Sequence, residues 1–304
     1  MKQQLVSVII TTFKRPNLLS RAIDSVFDQT YKNYEIIVVD DNDPRSIEKN
    51  QTQQILSYPK YSSIKYIDLN GNFGYAKARN IGIQNSKGTY IAFLDDDDAW
   101  LPEKLEKQVT RIETDELIGL VYCSGFNVKN NGEIYKIDIS RKPSGYIFKE
   151  LLMEDSIGAT SKVLVRKNCI NSIGLLDEST PTRADHDWFL RLAKEYKISW
   201  INEPLIYFFI DQERLSRNVA KKIAGWEFFL KRWETELAKY PNALNNQKFN
   251  YYYQIGKILF LQNQNKQALN YFKSALKLKP SFWKIYIFII LAILNFPARV
   301  LNLR

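Results

Sequence analysis

The sequence predicts an α/β fold, a mostly parallel sheet with helices on both faces, plus an α-helical C-terminal module. Three observations predict it. Short β-branched runs alternate with helix-period segments through the first hundred residues, and that order builds a parallel sheet. Three of the runs end in polar clusters, Thr11-Thr12, Asp40-Asp41 and Asp95–Asp98. In such sheets ligands bind beyond the carboxyl ends of the strands, so the clusters are expected to share one crevice. Charge then divides the chain: residues 1–210 hold 27 Lys and Arg against 28 Asp and Glu, a net of −1, whereas residues 211–304 hold 16 against 5, a net of +11. No acidic side chain follows Glu236. The expected domains are 1–215 and 216–304.

The elements follow in order. Val6–Ile10 reads as a buried strand and Thr11–Asn17 as a polar turn. Pro16 starts a helix with Leu18, Leu19, Ala22, Ile23, Val26 and Phe27 on its apolar face. Tyr34–Val39 and Ile64–Leu69 are the next strands. Gly71–Gly74 is a turn before a helix over Ala76–Asn85. Thr89–Leu94 is the fourth strand, and Leu101–Thr110 is a helix with Pro102 in its first turn. Val163–Val165 is apolar, and Trp188–Glu195 is helical. In the tail, Val219–Ala238 reads as one helix with Ile223, Trp226, Phe229, Leu230 and Trp233 on one face. Tyr252, Gly256, Ala268, Phe272, Ala275 and Pro280 fall at the spacings of one tetratricopeptide-like hairpin over 249–280, with Asn263–Asn265 as a turn lacking the usual Gly. A terminal helix over 281–296 contains ten apolar residues, Ile285–Leu294.

Composition removes several function classes. Hydrophobic residues make up 45% and charged residues 25%, a globular balance. Two cysteines form no disulfide framework and read as free thiols in a reducing compartment. One histidine argues against a His-rich zinc site and a Ser-His-Asp triad. There is no P-loop, no Gly-x-Gly-x-x-Gly after the first strand and no Gly-x-Ser-x-Gly elbow. Val6–Ile10 is too short for a signal core, and no apolar stretch reaches the roughly 18 residues of a spanning helix. A cytoplasmic chain is expected.

The basic excess lies along aromatic, apolar helices rather than in a recognition motif, which argues against nucleic acid. Lys277, Lys279 and Lys284 precede the terminal apolar run, and Arg299 and Arg304 follow it. Such flanks suit peripheral contact of 277–304 with an anionic membrane, at its inner face. The alternative is a core helix closing the preceding hairpin.

Asp95–Asp98 is the strongest chemical signal. Four adjacent carboxylates repel one another unless a cation neutralises them. Hard oxygen ligands suit Mg²⁺ or Mn²⁺, and few protein ligands leave coordination positions for a diphosphate. A solvated loop is the alternative, but the run directly follows the apolar strand and precedes Trp100-Leu101-Pro102. Asp40-Asp41 fits hydrogen bonding to a base or ribose, and equally an Asx turn. Arg79 suits a phosphate contact and Lys77 a solvated helix face.

Taken in order, Val6–Pro16, Asp40-Asp41, Asn72-Phe73-Gly74 with Ala78-Arg79-Asn80-x-Gly82, and Gly88-x-Tyr90–Asp98 resemble family 2 glycosyltransferases of the GT-A fold, a Rossmann-like sheet. The resemblance covers about residues 5–215. It implies inverting transfer of a sugar from a nucleotide diphosphate sugar, a UDP-sugar, to a saccharide or lipid-linked acceptor in cell-surface glycan synthesis, with Mn²⁺ or Mg²⁺ as cofactor. It implies that Thr11 and Phe13 line the base pocket and that Asp41 bonds the base. Arg15, Asn72 and Arg79 join the donor-binding residues. Asp95-Asp96-Asp97 matches the Asp-x-Asp element, with Asp97 as metal ligand and Asp95 or Asp96 facing ribose or metal.

Further on, Gly158–Ser161, Gly174–Glu178 and Ala184–Leu192 resemble the acceptor half. Asp185 matches the catalytic base, with Asp187 as the alternative. Two residues apart on a helix point about 200° from each other, so only one faces the crevice. Asp185 is otherwise an N-cap for Trp188–Glu195. His186 reads as a partly exposed side chain or an acceptor contact. Two positions depart from the family's pattern. Ala184 stands where many members carry an acid, and Phe208-Phe209-Ile210-Asp211 stands where members often have Arg and then His, leaving Asp211 as a weak substitute near the metal. A sugar nucleotidyltransferase would need a Gly-rich loop, and Thr11–Pro16 has no Gly. A non-catalytic membrane- or protein-binding module is the other alternative.

Overall fold

The computed structural model describes residues 3–129, 132–137, 142–209 and 218–296. The chain forms two compact units: residues 1–151, 156–178 and 184–212 in the first, and 152–155, 179–183 and 213–304 in the second. Asp211, Arg299 and Arg304 lie outside the described residues.

The first unit opens with β1 (Val6–Thr12), α1 (Pro16–Phe27), β2 (Tyr34–Asp40), α2 (Ile47–Leu56), β3 (Lys65–Asp68), α3 (Tyr75–Gln84), β4 (Tyr90–Asp95), β5 (Asp98–Trp100) and α4 (Lys104–Ile112). It continues with β6 (Ile118–Val128), β7 (Ile134–Ile137), α5 (Phe148–Met153), β8 (Val163–Arg166), α6 (Lys167–Ile173), α7 (Ala184–Glu195) and β9 (Lys197–Phe209). Among the described residues these strands form one sheet in the order β3-β2-β1-β4-β8-β6-β9-β5, with β7 on β6. β1 to β4 pair in parallel. β8 reverses direction against both β4 and β6, and β6 and β9 are again parallel. The parallel expectation therefore holds for the first half, and the second half is mixed.

Burial explains the parallel half. Val6, Val8, Ile9 and Ile10 are buried on both sides of β1, as in a strand covered on both faces. Leu19, Ala22, Ile23 and Val26 bring the stripe of α1 into the same core. At Gly82 a Cβ would lie 2.4 Å from Ile9 Cγ2, so α3 approaches β1 this closely only with glycine. Register then aligns the polar ends. Thr12 stands beside Asp40, and Thr11 beside Asp95.

Two local expectations change. α4 begins at Lys104, because the Pro102 carbonyl accepts the Thr30 N–H at 2.9 Å instead of starting the helical ladder. α7 begins at Ala184, so Asp185 lies inside the first turn and is not the N-cap.

In the second unit the predicted 219–238 helix is two, α8 (Val219–Arg232) and α9 (Glu234–Lys239), interrupted at Trp233. α10 (Pro241–Leu261) and α11 (Asn265–Leu278) form a helical hairpin. Asn263 takes φ 60° between them, supplying the left-handed conformation for which Asn is the usual substitute for Gly. A Cβ at Gly256 would meet the Phe272 ring at 2.7 Å, so the two helices cross closely there. α12 (Lys284–Ile293) adds Ile285, Phe288 and Ala292 to a core with Trp226, Phe249, Phe260 and Phe272. Among the described residues no helix is long and apolar enough to cross a membrane. Cys123 and Cys169 are free and buried.

Candidate active site

The acidic run turns between β4 and β5. Asp95 ends one strand, Asp98 starts the next, and Asp96-Asp97 form the link. One carboxylate oxygen from each of Asp95, Asp97 and Asp98 falls within 4.8 Å of the others. Ligand oxygens on opposite sides of a Mg²⁺-sized ion lie about 4 Å apart. These three hard donors therefore fit a small divalent cation, with Asp98 joining Asp95 and Asp97. The fourth carboxylate points inward. Asp96 is buried, accepts the Phe13 N–H at 3.2 Å and pairs with Arg15 Nη2 at 2.7 Å. Burial pushes its carboxyl up to about 7, although Arg15 pulls the other way.

Three arginines offset the negative charge. Arg15 also pairs with Asp97. Burial opposes its charge, but the carboxylates of Asp96, Asp97 and Asp95 outweigh that and hold it cationic. Arg21 Nη2 donates to the Asp97 carbonyl at 2.8 Å while its guanidinium lies 3.5 Å from the Phe209 ring centroid. Arg79 is buried, pairs with Asp95 at 2.6 Å and sits over the Tyr75 ring. The Asp95 N–H donates to Ser161 Oγ at 3.0 Å, which ties the end of β4 to the start of β8. The Nε–H groups of Arg15 and Arg79 are buried without a hydrogen-bond partner.

The two readings of Asp40-Asp41 divide between the residues. Asp40 Oδ1 accepts the Asn42 N–H at 2.9 Å and its Nδ2–H at 2.8 Å, an Asx turn, while Oδ2 accepts the Tyr66 hydroxyl at 2.8 Å. Lys49 lies 3.5 Å away and also pairs with Asp68. Asn42 Oδ1 in turn accepts the N–H of Lys14, a residue at φ 59°. The loop after β1, which carries Phe13 and Arg15, is thus held from the turn after β2.

Asp41 faces the next turn, accepting the Phe73 N–H at 2.7 Å and the Gly74 N–H at 2.8 Å. Burial raises its carboxyl, and these two N–H groups oppose the shift. Each oxygen keeps a second lone pair for a ligand donor. Thr11 and Phe13 are half-buried, and Asn72 and Phe73 are exposed.

α7 separates its two aspartates. Asp185 is half-buried, and its Oδ1 accepts the His186 N–H at 3.0 Å. The preceding Ala184 N–H donates to the Tyr75 hydroxyl at 3.0 Å. Burial, then the charge of Asp185, pushes the Tyr75 hydroxyl up to about 12. Arg79 feels both Asp95 and Asp185. Asp185, Tyr75, Arg79 and Asp95 therefore form one electrostatic line.

Asp187 is buried instead and pairs with Arg191 Nε at 3.0 Å. Arg191 Nη1 and Nη2 donate to the carbonyls of Ile173 and Leu175. The alternative base therefore lies inside the fold, on the arginine that holds the loop after α6. The expectation of a partly exposed His186 is corrected, the side chain being buried with its Nε2 2.8 Å from the Leu151 carbonyl.

The structure brings Thr11, Phe13, Arg15, Arg79 and Asp95–Asp98 together at the carboxyl ends of β1 and β4, while Asp41 holds the turn Asn72-Phe73-Gly74. Sequence reasoning missed Tyr75, Asn42 and Arg21, and gave Ser161 no individual role. Tyr75, Arg21 and Ser161 act through partners distant in sequence, and Asn42 links nearby Asp40 to distant Lys14. Asp98 was visible in the acidic run but was not separated from it.

Comparisons with known proteins converge on one family. The family described as Glycosyl transferase family 2 matches residues 7–174. An uncharacterised glycosyltransferase of Haemophilus influenzae is 31% identical over 218 residues, 70% of this chain and 70% of that protein. WfgD of Escherichia coli, named UDP-Glc:alpha-D-GlcNAc-diphosphoundecaprenol beta-1,3-glucosyltransferase, is 30% identical over 250 residues, 81% of this chain and 93% of that protein. Among solved structures, TarS of S. aureus in complex with UDP has TM-score 0.55 at 16% identity, over 90% of this chain and 88% of that one. Mannosyltransferase PcManGT of Pyrobaculum calidifontis, in complex with GDP-Man and Mn²⁺, has TM-score 0.57 at 14% identity, over 98% and 86%. At such identities the likeness is one of fold.

Proposed function

The chain belongs to glycosyltransferase family 2 and is an enzyme that transfers glycosyl groups, and from that premise we propose that it moves a sugar, with inversion, from a UDP-sugar to a hydroxyl of a lipid-linked saccharide. The observation that carries this reading is a chain of contacts: Arg79 pairs with Asp95 of the carboxylate cluster and sits over the Tyr75 ring, and the Tyr75 hydroxyl holds the Ala184 N–H next to Asp185. It sets a diphosphate-and-cation end beside a proton acceptor. The Escherichia coli relative's named donor and acceptor, and the UDP bound by TarS, support the substrate classes. A diphospholipid acceptor puts the reaction at the inner face of the cell membrane.

The geometry supports the following roles. Asp41 offers its remaining lone pairs to the base, with Thr11 and Phe13 beside it. Arg15 and Arg79, held against the carboxylate cluster by Asp96, Asp97 and Asp95, supply positive charge beside the diphosphate. Asp95, Asp97 and Asp98 would hold Mn²⁺ or Mg²⁺, which when bound stabilises the negative charge growing on the departing diphosphate. Asp185 accepts the proton of the acceptor hydroxyl as that oxygen attacks the anomeric carbon and the carbon–diphosphate bond breaks. Attack from the face opposite the leaving group inverts the centre.

A thermal-shift screen tests the donor. UDP, UDP-glucose and UDP-GlcNAc with Mn²⁺ are expected to raise Tm by about 5–10 °C at a hundredfold excess over Kd. A shift with GDP-mannose and none with UDP would overturn the base assignment. No shift with any nucleotide would overturn the donor site.

Tyr75 is a positioning residue in this scheme. Tyr75→Phe removes one hydrogen bond to the backbone that carries Asp185, at a stability cost of about 1 kcal/mol. The expected result is a several-fold lower kcat with donor KM unchanged. A drop in Tm with unaltered kcat would leave Tyr75 a purely structural role.

A further inference from the structure

α12 carries two apolar faces. Ile285, Phe288 and Ala292 fill the core of the second unit. Trp283, Tyr286, Ile287, Ile290, Ile293 and Leu294 recur at steps of one and three residues on a second stripe. That stripe is open to solvent: Trp283 is 63% exposed, Ile290 56%, Ile293 63% and Leu294 68%. No charged residue occurs from Ile285 to Phe296. A solvent face on a globular helix is normally polar, and a continuous apolar stripe marks an interaction surface. The sequence alternatives were therefore not exclusive, since one face closes the core and the other remains uncovered.

The surroundings select the occupant. Lys277, Lys279 and Lys284 are exposed at the N-terminal edge of the stripe, where Trp283 and Tyr286 also lie. Beyond them come only Ile287, Ile290, Ile293 and Leu294. From residue 237 to residue 296 there are eight lysines and no acid. Cations, then aromatics, then aliphatics is the order in which a bilayer presents phosphates, interface and acyl chains. A second copy would bring two such basic surfaces together, and repulsion opposes that. At 1.5 Å per residue the helix is about 15 Å long, half the hydrocarbon thickness, so it does not span; it dips from its lysine end at a tilt, with the far isoleucines deepest.

We propose that the exposed face of α12 docks on an anionic lipid leaflet, with its isoleucines at the acyl boundary and Lys277, Lys279 and Lys284 on headgroup phosphates. The docking gains its use from the lipid-linked acceptor proposed above and rests on that reading to this extent. A tethered chain would meet such an acceptor by diffusion in two dimensions.

Co-sedimentation of the full chain with vesicles tests it. Vesicles of phosphatidylcholine with about 30% phosphatidylglycerol should bind at least about tenfold more chain than phosphatidylcholine alone, and about 0.5 M salt should remove the difference. The combined change Lys277→Gln, Lys279→Gln, Lys284→Gln should weaken anionic binding by up to about a hundredfold, about fivefold per lysine. Ile290→Glu with Ile293→Glu should abolish it. Circular dichroism melting and the Tm shift with UDP and Mn²⁺ should stay as in the parent chain.

Absence of binding to anionic vesicles overturns the proposal, as does equal binding by the Ile290→Glu, Ile293→Glu variant. A dimer by light scattering that this variant dissociates also overturns it, and assigns the face to a second copy. Vesicle binding without any UDP shift leaves the docking intact and removes the donor reading instead.

Discussion

Asp185→Asn is expected to lower kcat about a thousandfold, the mid-range worth of a positioned general base, while donor KM and the Tm shift with UDP stay unchanged. The amide has the same size and still accepts the His186 N–H, so the start of α7 is kept. What it loses is the ability to hold a proton. Asp187→Asn is the internal control. Its carboxylate is buried on Arg191, whose other N–H groups hold the Ile173 and Leu175 carbonyls. Weakening that charged pair costs about 1.5–3 kcal/mol of stability, and the variant should lose Tm before it loses kcat. Steady-state kinetics and melting curves on both variants separate the roles. Near-normal kcat in Asp185→Asn, with activity lost at unchanged Tm in Asp187→Asn, would reverse the assignment.

The division between Asp185 and Asp187 marks where sequence reasoning stops. Helical geometry says that the two side chains point apart, but not which one is buried. The answer depends on Arg191 one turn later and on Tyr75 from α3, a partner more than a hundred residues away. The same holds for Asp40 and Asp41. Either can make an Asx turn, and the Tyr66 hydroxyl and Asn42 draw Asp40 inward while the Phe73 and Gly74 N–H groups take Asp41.

The parallel half of the sheet was legible because β1, β2 and β4 carry short apolar, mostly β-branched runs whose polar ends register side by side. The mixed half was not. β9 includes Pro204, and its register against β6 shifts repeatedly near Cys123–Phe126. β5 has three residues and exists through its pairing with β9, Ala99 opposite Tyr207. Neither shows an alternation that local patterning could detect. Trp233 similarly breaks a helix that its apolar stripe predicted to run on.

Chelation of divalent cations should abolish transfer, and Asp97→Ala should leave less than about one hundredth of it even with Mn²⁺ restored, several kcal/mol being the usual worth of a Lewis-acid cation at a developing anion. Asp97 is the sensitive position because its carboxylate is only half-buried, in the cluster with Asp95 and Asp98. Asp96 is turned inside onto Phe13 and Arg15. Arg15 spans Asp96 and Asp97, so its guanidinium would compete with a bound cation for the Asp97 carboxylate.

The sign of the pH effect follows. Burial pushes the Asp96 carboxyl up to about 7, so below that pH its protonation would remove part of the negative field that attracts a cation. The Mn²⁺ concentration for half-activation should therefore rise as pH falls from about 8 to about 6. Full activity in EDTA would overturn the metal assignment. If Arg15→Ala then abolished transfer, Arg15 itself would be the charge that the departing diphosphate meets.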